Sequence, residues 1–155
     1  MEAFRGKLLS VHLLENGYEV VDHAPAVAVV ALREGKLLCV RQFRHAIGSM
    51  TVEIPAGLIE PGEEPAAAAQ RKLAEECQLG GQLELLARYY PSPGFCNEEL
   101  WVFSASELAE AEGEPDQDEE LEVLWVAPEE LLAGLRSGQI AGSSTTLIGT
   151  LWALR

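Results

Sequence analysis

Three features of this chain predict an α/β fold in which helices flank a mixed β-sheet. Residues 26–32 read AVAVVAL, a continuous apolar run that fits a central strand buried on both faces. Residues 65–77 open with a proline and continue through four alanines to Leu73, the composition of a helix. Strand and helix patterns then alternate unevenly, which favours a mixed sheet between helices over a regular βαβ chain.

The elements follow in order. Residues 7–14 and 18–22 read as two strands, and Asn16-Gly17 between them tolerates the positive φ of a tight hairpin turn. Glu34-Gly35 is a short turn from the central strand into a second apolar strand, 36–43. Residues 51–54 form a brief strand stopped by Pro55, and Pro61-Gly62 breaks the loop that follows. The alanine-rich helix carries Glu63 and Glu64 at its positive end, and Gly80-Gly81 is expected to terminate it. Strands are predicted at 82–90 and 99–104, with Pro91-Ser92-Pro93-Gly94 as a constrained loop between them. Residues 108–120, acidic and poor in large apolar side chains, read as an exposed mobile loop. A strand at 121–126, a proline-opened helix at 128–135, and a last helix capped by Ser143 or Ser144 complete the chain.

At 155 residues the chain is long enough to bury one core; residues 1–24 are read as a hairpin unit ahead of a main domain over 25–155. The net charge of −14 argues against nucleic acid as a partner, since a phosphate backbone needs a basic footprint. No apolar run approaches the ~20 residues of a membrane span, and the first ten residues lack the apolar core of a signal peptide. Cys39, Cys77 and Cys96 form no CxxC pair and read as thiols of a reduced, cytoplasmic protein.

The chemistry concentrates in residues 57–79, GLIEPGEEPAAAAQRKLAEECQL. Residues four apart share a helix face, so Glu75 stacks over Arg71 and Glu76 over Lys72, with Leu73, Cys77, Ala66 and Ala69 turned to the core. Adjacent carboxylates repel unless a cation bridges them or arginine satisfies one. Mg²⁺ or Mn²⁺ would do the first with oxygen ligands, and the Ala56 carbonyl, held between Pro55 and Gly57, would add a neutral one. Arg71 would do the second, pairing with Glu63. Two neighbouring glutamates on a helix are ordinarily a solvated face; the joint spacing of Gly57, Glu63, Arg71, Glu75 and Glu76 is what argues for a site.

That segment resembles the signature of the Nudix hydrolase family, G-x5-E-x7-R-E-U-x-E-E-x-G-U, matching at Gly57, Glu63, Arg71, Leu73, Glu75, Glu76 and Leu79. It departs at Lys72, where the family has glutamate, and at Gln78, where it has glycine. Glu53-Ile54-Pro55-Ala56-Gly57, the run from Val40 to Ala46, the Tyr90 to Phe95 loop and the acidic stretch from Asp116 to Val123 are similar to the ADP-ribose and ADP-sugar pyrophosphatase branch. The resemblance implies a Nudix-like α/β/α sandwich with a mixed β-sheet, and a homodimer whose N-terminal strands cross to the partner. It implies a metal-dependent hydrolase that cleaves a nucleoside diphosphate linked to a sugar into a nucleoside monophosphate and a sugar phosphate. In the same way it implies a metal site of Ala56, Glu75 and Glu76, with Glu75, Glu76 and Glu119 catalytic. Arg41, Arg44, Glu53, Pro93 and Gly94 would meet the substrate. Gln117 is a third departure, since glutamine orients water but accepts no proton.

Lys72 decides how far the resemblance reaches. Its ammonium has no acceptor for a hard cation. At ~5 Å and an effective dielectric of about 20 it would repel a divalent ion by about 6 to 7 kcal/mol before screening. Two roles are open to it: an ion pair with Glu76, or a point charge on the substrate's diphosphate. Together Lys72, Gln78 and Gln117 motivate an alternative reading, a catalytically impaired Nudix-fold protein that binds nucleotides as a regulator.

Overall fold

The computed structural model describes residues 1–117 and 120–155. A three-stranded antiparallel sheet comes first: β1 (Glu2–Arg5), β2 (Leu9–Leu13) and β3 (Glu19–His23), in the order β1-β2-β3. Gly17 has φ of 85°, the conformation the Asn16-Gly17 turn requires. Strand β1 was not anticipated; it is fully exposed and exists by pairing with β2.

The main sheet is mixed and is built around β4 (Ala26–Arg33). Strand β5 (Lys36–Arg44) runs antiparallel beside it through a turn in which Glu34 and Gly35 both have positive φ. On β5 lie β6 (Ser49–Glu53) and, on its other neighbour position, β10 (Glu122–Val126). The short β7 (Ala56–Leu58), read from sequence only as loop, pairs with β4. Strand β9 (Leu100–Glu110) lies parallel to β4, and β8 (Leu79–Tyr89) is antiparallel to β9 at the rim. Leu108–Glu110, expected in a loop, are thus part of a strand, because β8 continues past its own glycines to pair with them.

Strand β4 divides the core by its own period of two. Val27, Val29 and Ala31 face one side with Ala68, Ala69 and Leu73 of α1 (Pro65–Cys77). Ala28 and Val30 face the other with Leu131 of α2 (Pro128–Ser137) and Trp152 of α3 (Ser144–Ala153). Among the described residues, α1 covers one face and α2 and α3 the other, which makes the α/β/α sandwich. The apolar face of α1 uses Ala68 rather than the exposed Ala66. Its end also differs from expectation. The helix stops at Gln78, which is left-handed with φ of 55°, and Gly80 and Gly81 lie within β8. Cys39 and Cys77 are pushed up to about 12 by burial, so neither is a reactive thiolate at neutral pH.

Candidate active site

Pro65 starts α1 at a position where its missing N–H costs nothing, and the helix delivers Arg71, Lys72, Glu75 and Glu76 to one side of a cleft of about 620 Å³. Arg71 is the hub. Its Nε and Nη2 donate to the two carboxylate oxygens of Glu63 at 2.8 Å each, its Nη1 to Glu75 at 3.3 Å, and its Nη2 to the Leu58 carbonyl at 3.0 Å. This bidentate grip, with the Glu60 N–H on the same group, holds the Glu63 carboxyl down at about 2. The loop before the helix is thereby fastened to it.

Lys72 is nearly buried, at 8% exposure. Its stem crosses the bare face of Gly57, where a Cβ would overlap the lysine's Cγ, Cδ and Cε. The ammonium reaches Glu75 Oε2 at 3.1 Å and Asp116 Oδ2 at 3.0 Å, so its partners are not Glu76. Burial alone would lower its pKa, but the bonds to Asp116 and Glu75 outweigh that and raise it. Glu76 instead accepts the Ala56 N–H at 3.3 Å. Gln78, the other departure, donates from Nε2 to the Gly113 carbonyl at 2.8 Å and accepts the Gly113 N–H at 3.4 Å. Both departures therefore bind the segment that carries Asp116.

The facing wall comes from β5, β6 and the N-terminus of α3. Arg44 Nε and Nη2 donate to the two oxygens of Glu53 at 2.8 Å each, and Thr51 Oγ1 donates to Glu53 Oε1 at 2.7 Å. Burial would raise the Glu53 carboxyl, yet these donors hold it below the ordinary value. Ser143 caps α3 by accepting the Thr146 N–H at 3.2 Å, which sets Ser143, Ser144 and Thr145 along the cleft. Glu98, another lining residue, carries no sequence signal of its own. It lies 3.6 Å from His23 Nδ1, and burial lifts its carboxyl above the usual range. Gln42 also lines the wall, and the alternation of β5 could have revealed it beside Arg44.

The same alternation removes Arg41, which points to the opposite face of β5 and pairs with Glu122 at 3.5 Å. Pro93 and Gly94 also lie outside the cleft. The loop after β8 carries them to a separate hollow with Leu14, Tyr18 and Phe95, because Val21 of β3 bonds the Phe95 carbonyl at 2.7 Å and pulls the loop toward the N-terminal sheet. Glu119 lies outside the described residues; Gln117 is exposed.

A family model described as the NUDIX domain matches residues 22–143. The chain belongs to the NUDIX family. This Nudix protein is 39% identical over 156 residues to an ADP-ribose pyrophosphatase of Bacillus subtilis (93% of this chain, 84% of the relative). It is 33% identical over 161 residues to a methanol dehydrogenase activator of Bacillus methanolicus (94% and 85%). An ADP-sugar pyrophosphatase of Mus musculus is 33% identical over 124 residues (72% and 57%). The crystal structure of an ADP compounds hydrolase superposes with a TM-score of 0.78 at 23% identity, covering 100% of this chain and 89% of that one, which supports the fold.

Nudix hydrolases generally need a divalent metal ion. The donors here do not fit the family's ion as they stand. Glu75 is turned onto Arg71 and Lys72, and an ammonium stands where the family places a further carboxylate. Among the described residues, no group of three or more His, Cys, Asp or Glu side chains is gathered to hold a metal. Nor, among the described residues, is any helix long and apolar enough to cross a membrane.

Proposed function

We propose that this Nudix-type pyrophosphatase hydrolyses the diphosphate of a nucleoside diphosphate linked to a sugar, with ADP-ribose the leading substrate. Water adds to one phosphorus, the bridging P–O bond breaks, and a nucleoside monophosphate, a sugar phosphate and a proton leave. One observation carries the reading: Arg71 and Glu75, braced by Glu63 from behind the loop, and the Arg44–Glu53 pair line a single cleft. The cleft's volume is in the range of small-molecule sites. Arg44, 45% exposed at its side chain and fixed in orientation by Glu53, suits a phosphate or a distal ribose. Glu75, Glu76 and Glu119 are the proposed catalytic carboxylates, and Glu98 is a further candidate to accept the proton. The names of the pyrophosphatase relatives support the substrate class.

Purified protein is incubated with ADP-ribose in Mg²⁺, in Mn²⁺ and in EDTA, and AMP release is followed. ADP-ribose and other nucleotide sugars left intact at high protein concentration would remove the reading. The Lys72–Glu75 pair favours a second one, a nucleotide-binding regulator. It requires that nucleotide bind without turnover. Exposed Phe4, Leu8, Leu14 and Tyr18 on and beside the N-terminal strands support a homodimer formed through them, measurable by sedimentation equilibrium. A cytoplasmic setting accords with thiols that form no disulfide.

A further inference from the structure

Lys72 is seated rather than merely tolerated. Gly57 leaves room for its stem, and Glu75 on the same helix holds its ammonium at 3.1 Å. The other partner is of a different kind. Asp116, with a side chain 57% exposed, reaches the ammonium at 3.0 Å from a segment held to α1 at Gly113 by Gln78. A nearly buried cation on the cleft wall is thus covered by a solvent-facing carboxylate. The outer side of this carboxylate is open to solvent, so another anion can approach and take its place on the ammonium. A phosphate oxygen offers the ammonium the same kind of charge-assisted bond. The remaining titratable lining, Glu53, Glu60, Glu76 and Glu98, is acidic apart from His23, Arg44 and Arg71, and both arginines are already paired with carboxylates. A diphosphate entering this acidic cleft gains from a second cation in addition to Arg44.

We propose that Lys72 is a phosphate-binding residue, that the diphosphate of a nucleotide takes the place of Asp116 on its ammonium, and that the chain therefore binds nucleoside diphosphates without a divalent ion. The proposal rests on the cleft being the nucleotide site of the preceding section. It makes the departure from the family pattern a tethered cation in place of a bound one.

The test is calorimetric titration of the full chain with ADP in excess EDTA, for the wild type, Lys72→Met, Lys72→Arg and Asp116→Asn. Wild type binds. Lys72→Met weakens binding at least tenfold, Lys72→Arg restores most of it, and Asp116→Asn tightens it about threefold or more by removing the competing carboxylate. Asp116 is exposed, so its variant keeps the test decisive even if Lys72→Met folds poorly. Absence of ADP binding by wild type in EDTA, equal binding by wild type and Lys72→Met, or weaker binding by Asp116→Asn would overturn the proposal. Each of these with ADP-ribose still cleaved would leave the hydrolase reading standing. Opposite shifts in the two variants with ADP-ribose uncleaved would sink the hydrolase reading and keep the phosphate site.

Discussion

Replacing Arg71 tests the frame on which the helix wall depends. Its side chain is 25% exposed, and its guanidinium bonds two carboxylates and a carbonyl. Such bonds contribute roughly 1.5–3 kcal/mol each, but bonds sharing one group are not additive, and partial exposure reduces them. Arg71→Ala should therefore cost about 3 kcal/mol. At 2–4 °C per kcal/mol for a domain of this size, melting falls by about 9 °C. Arg71→Lys keeps the charge but not the fork, and should cost about half as much. The pH dependence supplies an independent check. Glu63 is held at about 2 in the folded chain, against about 4.3 when unfolded. Its contribution is full above pH 4.3 and is lost as pH falls from there toward 2. Wild type should lose stability more steeply than Arg71→Ala over that interval. Urea unfolding at pH 7, 5, 4 and 3 measures both effects. A wild-type midpoint for Arg71→Lys, or an unchanged acid slope in Arg71→Ala, would refute the reasoning.

Further outcomes follow from other contacts. Glu53→Gln takes one acceptor from the fork that orients Arg44, and should raise KM for a nucleotide sugar about tenfold with a smaller change in kcat, read by steady-state kinetics. Ser143→Ala removes the α3 cap and should cost about 1 kcal/mol, visible as a drop of about 3 °C in melting. Lys72→Glu replaces the ammonium by a carboxylate beside Glu75 and Glu76 and should tighten Mn²⁺ binding at least tenfold by electron paramagnetic resonance. Equal Mn²⁺ affinity in wild type would contradict the account of Lys72.

The parts legible in sequence were those set by local chemistry. Pro65, the alanines and Leu73 specify α1 from Pro65 to Cys77, and the apolar run specifies β4. The pairing of Arg71 with Glu63 followed from spacing, because a short loop and nearly two helical turns fix it. What escaped was non-local. Gln78 ends the helix in a conformation usually left to glycine, and its side chain is held by Gly113, far along the chain. Lys72 chose Glu75 and Asp116 over Glu76 because the Asp116 segment folds back onto the cleft. Strand β7 is too short to show a period, and β1 exists only through its neighbour. Arg41 is a different case: strand alternation already separated it from Gln42 and Arg44, and the motif resemblance obscured that.

The long outer ribbon bears on solubility. Strand β8 forms one margin of the main sheet, and its pairing with β9 slips twice, between Gly80 and Gln82 and between Leu85 and Ala87. Near the first slip, Glu107 on β9 takes a φ of 50°. An unbroken border of this length would present an even row of amides on which another polypeptide could template. Two dislocations coil the border and spoil its spacing. Fibre-like stacking along this side is thereby disfavoured, and association is left to other surfaces.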